Sequence, residues 1–236
     1  MNHFGSVAIL VPIRYGHCPV RCLVTAGPTY EPLDNVRRLT NFSTGRLGSE
    51  LANTLAVRGH SVTLLLGEQA THRGELRLEK VESFSTTADL ENRLRALSTQ
   101  NIGAVFHAAA VSDFKFGKIW RRSERGQLSE VSSGKMPTRE GTLVAELIPT
   151  SKIIGRLRDW FSTARLIGWK FEVEGDRSSV IELAKRQILE CRTDACVANG
   201  PAYGAGFGIV QAPDRHVHVK DRTELFKALN DFLGSP

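Results

Sequence analysis

Apolar residues in this chain switch repeatedly between two spacings, and that alternation limits the fold more than any other feature. Short apolar runs cover 21–25, 61–66, 104–111, 165–173, 195–198 and 207–211. Between them lie stretches with helical spacing. The stretch 44–58 carries Leu47, Leu51, Leu55 and Ala56 and ends before Gly59; the stretch 87–97 carries Leu90, Leu94 and Leu97. Further helices are predicted at 150–161, 177–191 and 222–233. This order predicts an α/β fold, a mostly parallel open sheet with helices on both faces. A length of 236 residues, with no internal repeat, suits one domain. Hydrophobic residues make up 41% and charged residues 24%, which excludes a disordered, coiled-coil or collagen-like chain. No apolar run approaches the ~18 residues of a membrane span. Val7–Pro12 is followed by Arg14 and lacks a cleavage site, so no signal peptide is expected and the chain reads as cytoplasmic.

Two segments break the alternation. Residues 1–20 show no period and read either as a flexible extension or as the product of an upstream start codon, dispensable to a domain spanning 21–236. Residues 114–142 are long, polar and glycine-containing. They follow the carboxyl end of a central strand, where ligands of open α/β sheets bind, so they are predicted to form a long lid loop. The spacings of Cys18, Cys22, Cys191 and Cys196 do not form paired knuckles, and reduced thiols are expected. His216 and His218 share a strand face without a third ligand nearby.

The net charge of +6 suits either nucleic acid or a small polyanion. Several residues favour the small polyanion. After the first strand come Gly27, then Thr40, Asn41, Ser43, Thr44 and Gly45 at a helix start, flanked by Arg37, Arg38 and Arg46. Hydroxyls and free N–H groups at a helix N-terminus make an anion site. The plain alternative is an N-cap with surface arginines. The arrangement is not G-x-G-x-x-G, since only Gly27 falls where that fingerprint needs glycine. The strand at 104–111 ends in Ala108-Ala109-Ala110, small enough for a ligand to reach the backbone, with Asp113 at the rim. Lys135 sits in Ser133-Gly134-Lys135-Met136 within the lid, but no Walker A is present. Trp169 ends a strand, where either core packing or base stacking would use it; Asn199 ends the next strand.

These segments together resemble the phosphopantothenoylcysteine synthetase family, the carboxy-terminal half of the DNA/pantothenate metabolism flavoprotein. The resemblance rests on Val24–Thr29 with Glu31–Asp34, on Val36-Arg37 with Asn41–Gly45, and on Ala108–Phe114, Ser133–Met136 and Val197–Asn199. It implies a Rossmann-like domain and a two-step reaction. The carboxylate of 4'-phosphopantothenate is activated by a nucleoside triphosphate, CTP or ATP with CTP favoured, and the acyl-nucleotide then reacts with the amine of cysteine. Mg2+ is implied and flavin is not, because the decarboxylase half is absent. The resemblance places Asn41 on the acyl intermediate, with Gly27, Arg37, Ser43, Thr44 and Gly45 around the acyl substrate. It places Lys135 on the triphosphate, and Ala108, Ala109, Ala110, Asp113, Ser151, Ile153 and Trp169 around the nucleotide. It also implies a homodimer whose lid is partly shared. The chain departs from the family in carrying Trp169 for a common phenylalanine and Ser151 for a usual proline. Family lysines on the helix before Asp194 have Lys185 and Arg186 as their nearest candidates.

Two rival functions remain at the level of sequence. A nicotinamide-dependent reductase of the short-chain type needs Tyr-x-x-x-Lys, but Pro19, Asp34 and Phe207 stand four residues after Tyr15, Tyr30 and Tyr203. A basic nucleic-acid binder rests on the charge alone; membrane association has no support in the pattern.

Overall fold

The computed structural model describes residues 18–131, 141–211 and 215–234. Thirteen strands and five helices follow one another along these segments. They are β1 (Arg21–Ala26), β2 (Tyr30–Pro32), β3 (Arg38–Thr40), α1 (Arg46–Val57), β4 (Ser61–Gly67), β5 (Lys80–Phe84), α2 (Thr87–Leu97), β6 (Ala104–His107), β7 (Phe114–Arg122), β8 (Leu128–Glu130) and β9 (Thr142–Pro149). After a 3-10 turn at Ile153–Arg156 come α3 (Leu157–Trp160), β10 (Arg165–Phe171), α4 (Arg177–Cys191), β11 (Ala195–Asn199), β12 (Phe207–Gln211), β13 (Arg215–Val219) and α5 (Arg222–Leu233).

Eight strands form the main sheet in the order β13-β12-β11-β10-β6-β1-β4-β5. The six from β5 to β11 run parallel; β12 and β13 return antiparallel. The Rossmann-like α/β expectation therefore holds. The chain winds outward from β1 to β4 and β5, then crosses back to β6 on the other side of β1. The carboxyl ends of β1 and β6 are thus the point where strand order reverses, and there the helices diverge and leave a crevice.

Buried apolar residues explain the layers. Leu51 and Leu55 of α1 share a cluster with Leu225 and Leu229 of α5 and with Val24 and Phe106 of the sheet. On the opposite face Leu90 and Leu94 of α2 meet Leu23, Val105 and Leu166, while Val180 and Ala184 of α4 meet Cys196 and Val210. The helices begin where side chains satisfy their first N–H groups. Thr86 accepts from Asp89 N, Asp176 forms a capping box with Ser179, and Asp221 accepts from Glu224 N. The start of the described chain is tied in too. Val20 N donates to His60 Nδ1 at 3.1 Å, and Ser61 N donates to Val20 O. Residues 1–17 of the predicted extension lie outside the described residues.

Three expectations change. Within 114–142 the described residues 114–131 are not a structureless loop: β7 and β8 pair there, and β9 beyond them completes a separate three-stranded antiparallel sheet, rich in aromatic and β-branched residues. The predicted helix 150–161 is only the 3-10 turn and the four-residue α3, because β9 runs to Pro149 and residues 150–152 are not helical. The predicted strand 104–111 stops at His107; Ala108–Val111 leave the sheet with small side chains and regain pairing only through an isolated bridge between Pro28 and Ala110.

Candidate functional site

The loop after β1 makes the first wall of the crevice. Gly27 and Gly45 both have positive φ, 82° and 77°, a conformation that costs other residues dearly. Gly45 is the N-cap of α1; no side chain caps the helix and its first turn holds no acidic residue. A Ser/Thr N-cap is therefore not what Ser43 and Thr44 supply, although Thr44 Oγ1 receives Arg46 N at 3.3 Å. A Cβ on Gly45 would lie 2.9 Å from Ala70 Cβ, and one on Gly48 would lie 2.6 Å from Ala26 Cβ. Gly27, Gly45 and Gly48 thus divide the three roles of a dinucleotide-type fingerprint: a tight turn, a bare backbone at the helix start, and close packing of helix on strand. Sequence reading missed Gly48 because residues 28–44 separate the first glycine from the G-x-x-G pair. The signal was Gly45-Arg46-Leu47-Gly48 itself.

The excursion 28–44 folds back as the β2–β3 hairpin. Asp34 closes its tip, accepting from Val36 N and Arg37 N and pairing with Arg37 Nη2 at 2.5 Å. Arg46 pairs with Glu50, and Arg38 lies over the Tyr30 ring. The flanking arginines therefore have partners within the fold. Glu31, 6% exposed, accepts the backbone N–H of Thr87 at the start of α2. Thr29 Oγ1 receives Ser112 N at 2.8 Å and meets the Ser112 and Thr87 hydroxyls. Thr150 Oγ1 donates to Ser112 O, and Thr150 N donates to Asp113 O. The Thr29 and Glu31 bonds tie the hairpin to the start of α2 and to Ser112, and the Thr150 bonds tie Ser112 and Asp113 to the end of β9. At its end Asn41 Nδ2 donates to Ala110 O at 3.1 Å. Two segments that the sequence singled out separately meet at this bond.

Beside it opens a cleft of about 710 Å³, lined by His107, Ala109, Val111 to Phe114, Pro149 to Ile154, Trp169 to Phe171, and Gln187. Of the predicted nucleotide residues, Ala109, Asp113, Ser151, Ile153 and Trp169 line it; Ala108 and Ala110 flank it through bonds to Thr25 O and Gly27 O. Ile153 is 1% exposed, so its side chain belongs to the core. Ser151 Oγ donates to Glu91 at 2.5 Å. Trp169 packs against the α1–α5 cluster while its edge lines the cleft, and its Nε1 is buried without a partner among the described residues, as is Asn199 Oδ1. Lys185 does not line the cleft; it pairs with Glu182, and the α4 side chain that does line it is Gln187, two residues further along. Lys152 and Lys170 bring positive charge, with Lys170 paired to Glu172. Lys135 lies outside the described residues.

His107, which the sequence reading passed over, sits at the floor. Burial pulls its pKa from 6.5 to about 4, so the ring is neutral near pH 7. The four cysteines are free thiols; burial pushes Cys22 and Cys196 up to about 12, which makes them unreactive. Among the described residues no group of three or more His, Cys, Asp or Glu side chains could hold a metal, and no helix is long and apolar enough to cross a membrane.

The family profile described as the DNA/pantothenate metabolism flavoprotein C-terminal domain matches residues 19–228. The coenzyme A biosynthesis bifunctional protein CoaBC of Thermococcus kodakarensis is 32% identical over 182 residues, which are 76% of this chain and 41% of that protein. The chain thus spans less than half the length of this curated relative. The crystal structure of the DNA/pantothenate metabolism flavoprotein from Streptococcus pneumoniae superposes with a TM-score of 0.79 at 24% identity, covering 91% of this chain and 98% of the other. A structure described as Cab2 mutant H337A in complex with phosphopantothenate-cysteine superposes with a TM-score of 0.67 at 20% identity, covering 91% and 87%. At these identities the two structures show that the fold is shared.

Proposed function

The chain belongs to the DNA/pantothenate metabolism flavoprotein C-terminal domain family, and from that premise we propose that it is a phosphopantothenate–cysteine ligase. The observation that carries the reading is the Asn41–Ala110 bond, which sets the uncapped α1 end and the nucleotide-sized cleft side by side. A carboxylate and a triphosphate bound on the two sides would meet there.

In the first step a carboxylate oxygen of 4'-phosphopantothenate attacks the α-phosphorus of CTP, and the bond to pyrophosphate breaks. In the second the amine of cysteine attacks the acyl carbon, the acyl–phosphate bond breaks, and CMP leaves. Open N–H groups at α1 suit the phosphate of the acyl substrate, held with Gly27, Arg37, Ser43, Thr44 and Gly45. Asn41 has a second amide hydrogen beyond the one given to Ala110, available to an acyl oxygen as it gains charge. The alanines 108–110 let the nucleotide lie against the backbone, with Trp169, Ser151 and Ile153 beside the base. Lys135 would stabilise the charge that builds on the phosphates. Mg2+ would neutralise triphosphate charge; Asp113 is the cleft's one described carboxylate, which fits an ion held mainly by phosphate oxygens and water.

A homodimer completes the reading. Phe114 and Leu147 stay 44% and 49% exposed on one face of the three-stranded sheet, a surface suited to burial against a second copy. Steady-state release of pyrophosphate tests the function, with CTP and ATP compared at equal concentrations. Release should require 4'-phosphopantothenate and be faster with CTP. Release that ignores 4'-phosphopantothenate would refute the assignment.

A further inference from the structure

His107 is the last residue of β6, 6% exposed, and its ring forms part of the cleft floor. The ligase chemistry set out above gives it no part. A buried imidazole needs an account of both nitrogens, since an unmatched donor or acceptor in the interior is costly.

The neighbouring groups provide that account. Nδ1 lies 2.9 Å from Thr25 Oγ1. The same hydroxyl oxygen accepts the backbone N–H of Ala109 at 3.2 Å. That oxygen could accept a second bond, but Thr25 is fully buried and its hydroxyl hydrogen has no other acceptor among the described residues, so only donation to Nδ1 leaves neither group unmatched. A neutral ring that accepts at Nδ1 carries its proton on Nε2. Nε2 has no partner among the described residues, and it is not one of the sealed unpartnered atoms, so it opens on the cleft. The tautomer is thus assigned by the turn that the alanine segment makes as it leaves β6. Gly168 stands in register with His107 on β10. A Cβ there would come within 2.6 Å of Gln187 Nε2 and Ile154 Cδ1, so a side chain at 168 would make the ends of these two cleft-lining side chains shift.

We propose that His107 is a specificity-determining residue of the nucleotide site, a fixed neutral Nε2–H donor for an uncharged acceptor on the ribose or base. Thr25 is its positioning residue. The proposal rests on the ligase reading for the identity of the ligand. An uncharged acceptor follows from the surroundings. A phosphate oxygen would draw the ring toward imidazolium, which burial opposes, and Lys152 and Lys170 already offer cations at the cleft. A rigid donor at the floor rewards a ligand whose acceptor reaches it and penalises one that leaves it buried and unmatched.

Calorimetric binding of CTP, ATP and their 2'-deoxy forms tests this, on the unmodified protein and on His107→Leu, Thr25→Val and Thr25→Ser. Losing one neutral hydrogen bond should raise the Kd of CTP about five- to tenfold in His107→Leu. Thr25→Val should weaken binding similarly, and Thr25→Ser should restore it. Long-range proton–nitrogen NMR at pH 7 should find the Nε2–H tautomer in the unmodified protein and in Thr25→Ser, and a mixture in Thr25→Val. If the unmodified protein already binds 2'-deoxy-CTP as weakly as His107→Leu binds CTP, the acceptor is the ribose 2'-oxygen; if it binds both alike, the acceptor is another oxygen of the ribose or lies on the base. An Nδ1–H or charged ring overturns the proposal, as does a folded His107→Leu protein with an unchanged Kd. A protein that binds neither triphosphate sinks the ligase reading and the proposal together. One that binds CTP but ignores the leucine sinks the proposal alone.

Discussion

Burial of the His107 imidazole has a consequence for stability as well as for binding. Its folded-state pKa is about 4, against 6.5 for the free side chain. As pH falls below 6.5 the unfolded chain takes up a proton that the folded protein refuses. Stability from this group is therefore complete above pH 6.5 and is lost progressively down to about pH 4, by about 3 kcal/mol. Urea unfolding at pH 7 and pH 4.5 should show a smaller pH-dependent loss in His107→Leu than in the unmodified protein; equal losses would count against a neutral buried ring. Asn41 makes a second residue-scale case. Asn41→Asp replaces the donor to Ala110 O with an acceptor, so two oxygens face each other. The variant should fold and form acyl-nucleotide, yet slow its transfer to cysteine by about 100-fold. Rapid-quench product analysis reads this directly, and normal transfer in the folded variant would remove Asn41 from the coupling step. Asn41 and the alanines were legible in the sequence because their residue types suit the chemistry. His107 was not: its role depends on Thr25 and Ala109, and the contact with Thr25 crosses from one strand to the next.

At the scale of elements, two contacts decide how firmly the crevice is built. In an exposed helix, Gly→Ala stabilises by about 1 kcal/mol. Gly48→Ala should do the reverse, because its Cβ would sit 2.6 Å from Ala26 Cβ. Overpacking costs about 1–3 kcal/mol, so a net loss of about 1 kcal/mol or more in urea unfolding is expected, with a gain counting against the close approach. Glu31→Ala strands the Thr87 N–H in the interior and should cost about 2 kcal/mol. Glu31→Gln keeps an acceptor and should cost less than half as much; equal costs would mean that the hydrogen bond is not what Glu31 contributes. Helices α2, α4 and α5 could be read closely from the sequence because capping residues mark their starts. The three-stranded sheet could not: its polar composition drew attention away from the period-two pattern in Phe114, Phe116 and Trp120 of β7. Gly48 hid for a related reason, since the hairpin between Gly27 and Gly45 splits a fingerprint that is normally contiguous.

Across the whole molecule, the alternation of strand and helix placed the crevice before any contact was known, because a doubly wound sheet opens where its strand order reverses. A homodimer was expected only from the family resemblance, since an exposed apolar face shows only in three dimensions. Sedimentation at micromolar concentration should give about twice the 26.0 kDa chain mass, and a monomer with full activity would contradict a shared lid. In the proposed reaction one crevice activates a carboxylate and then passes it to an amine. Rapid-quench analysis with cysteine withheld tests it most directly. Protein mixed with 4'-phosphopantothenate and CTP should accumulate one acyl-cytidylate and one pyrophosphate per site. Cysteine added afterwards should convert that intermediate to amide product and CMP in step. Pyrophosphate release only after cysteine is present, or release without any acyl-nucleotide, would contradict the account.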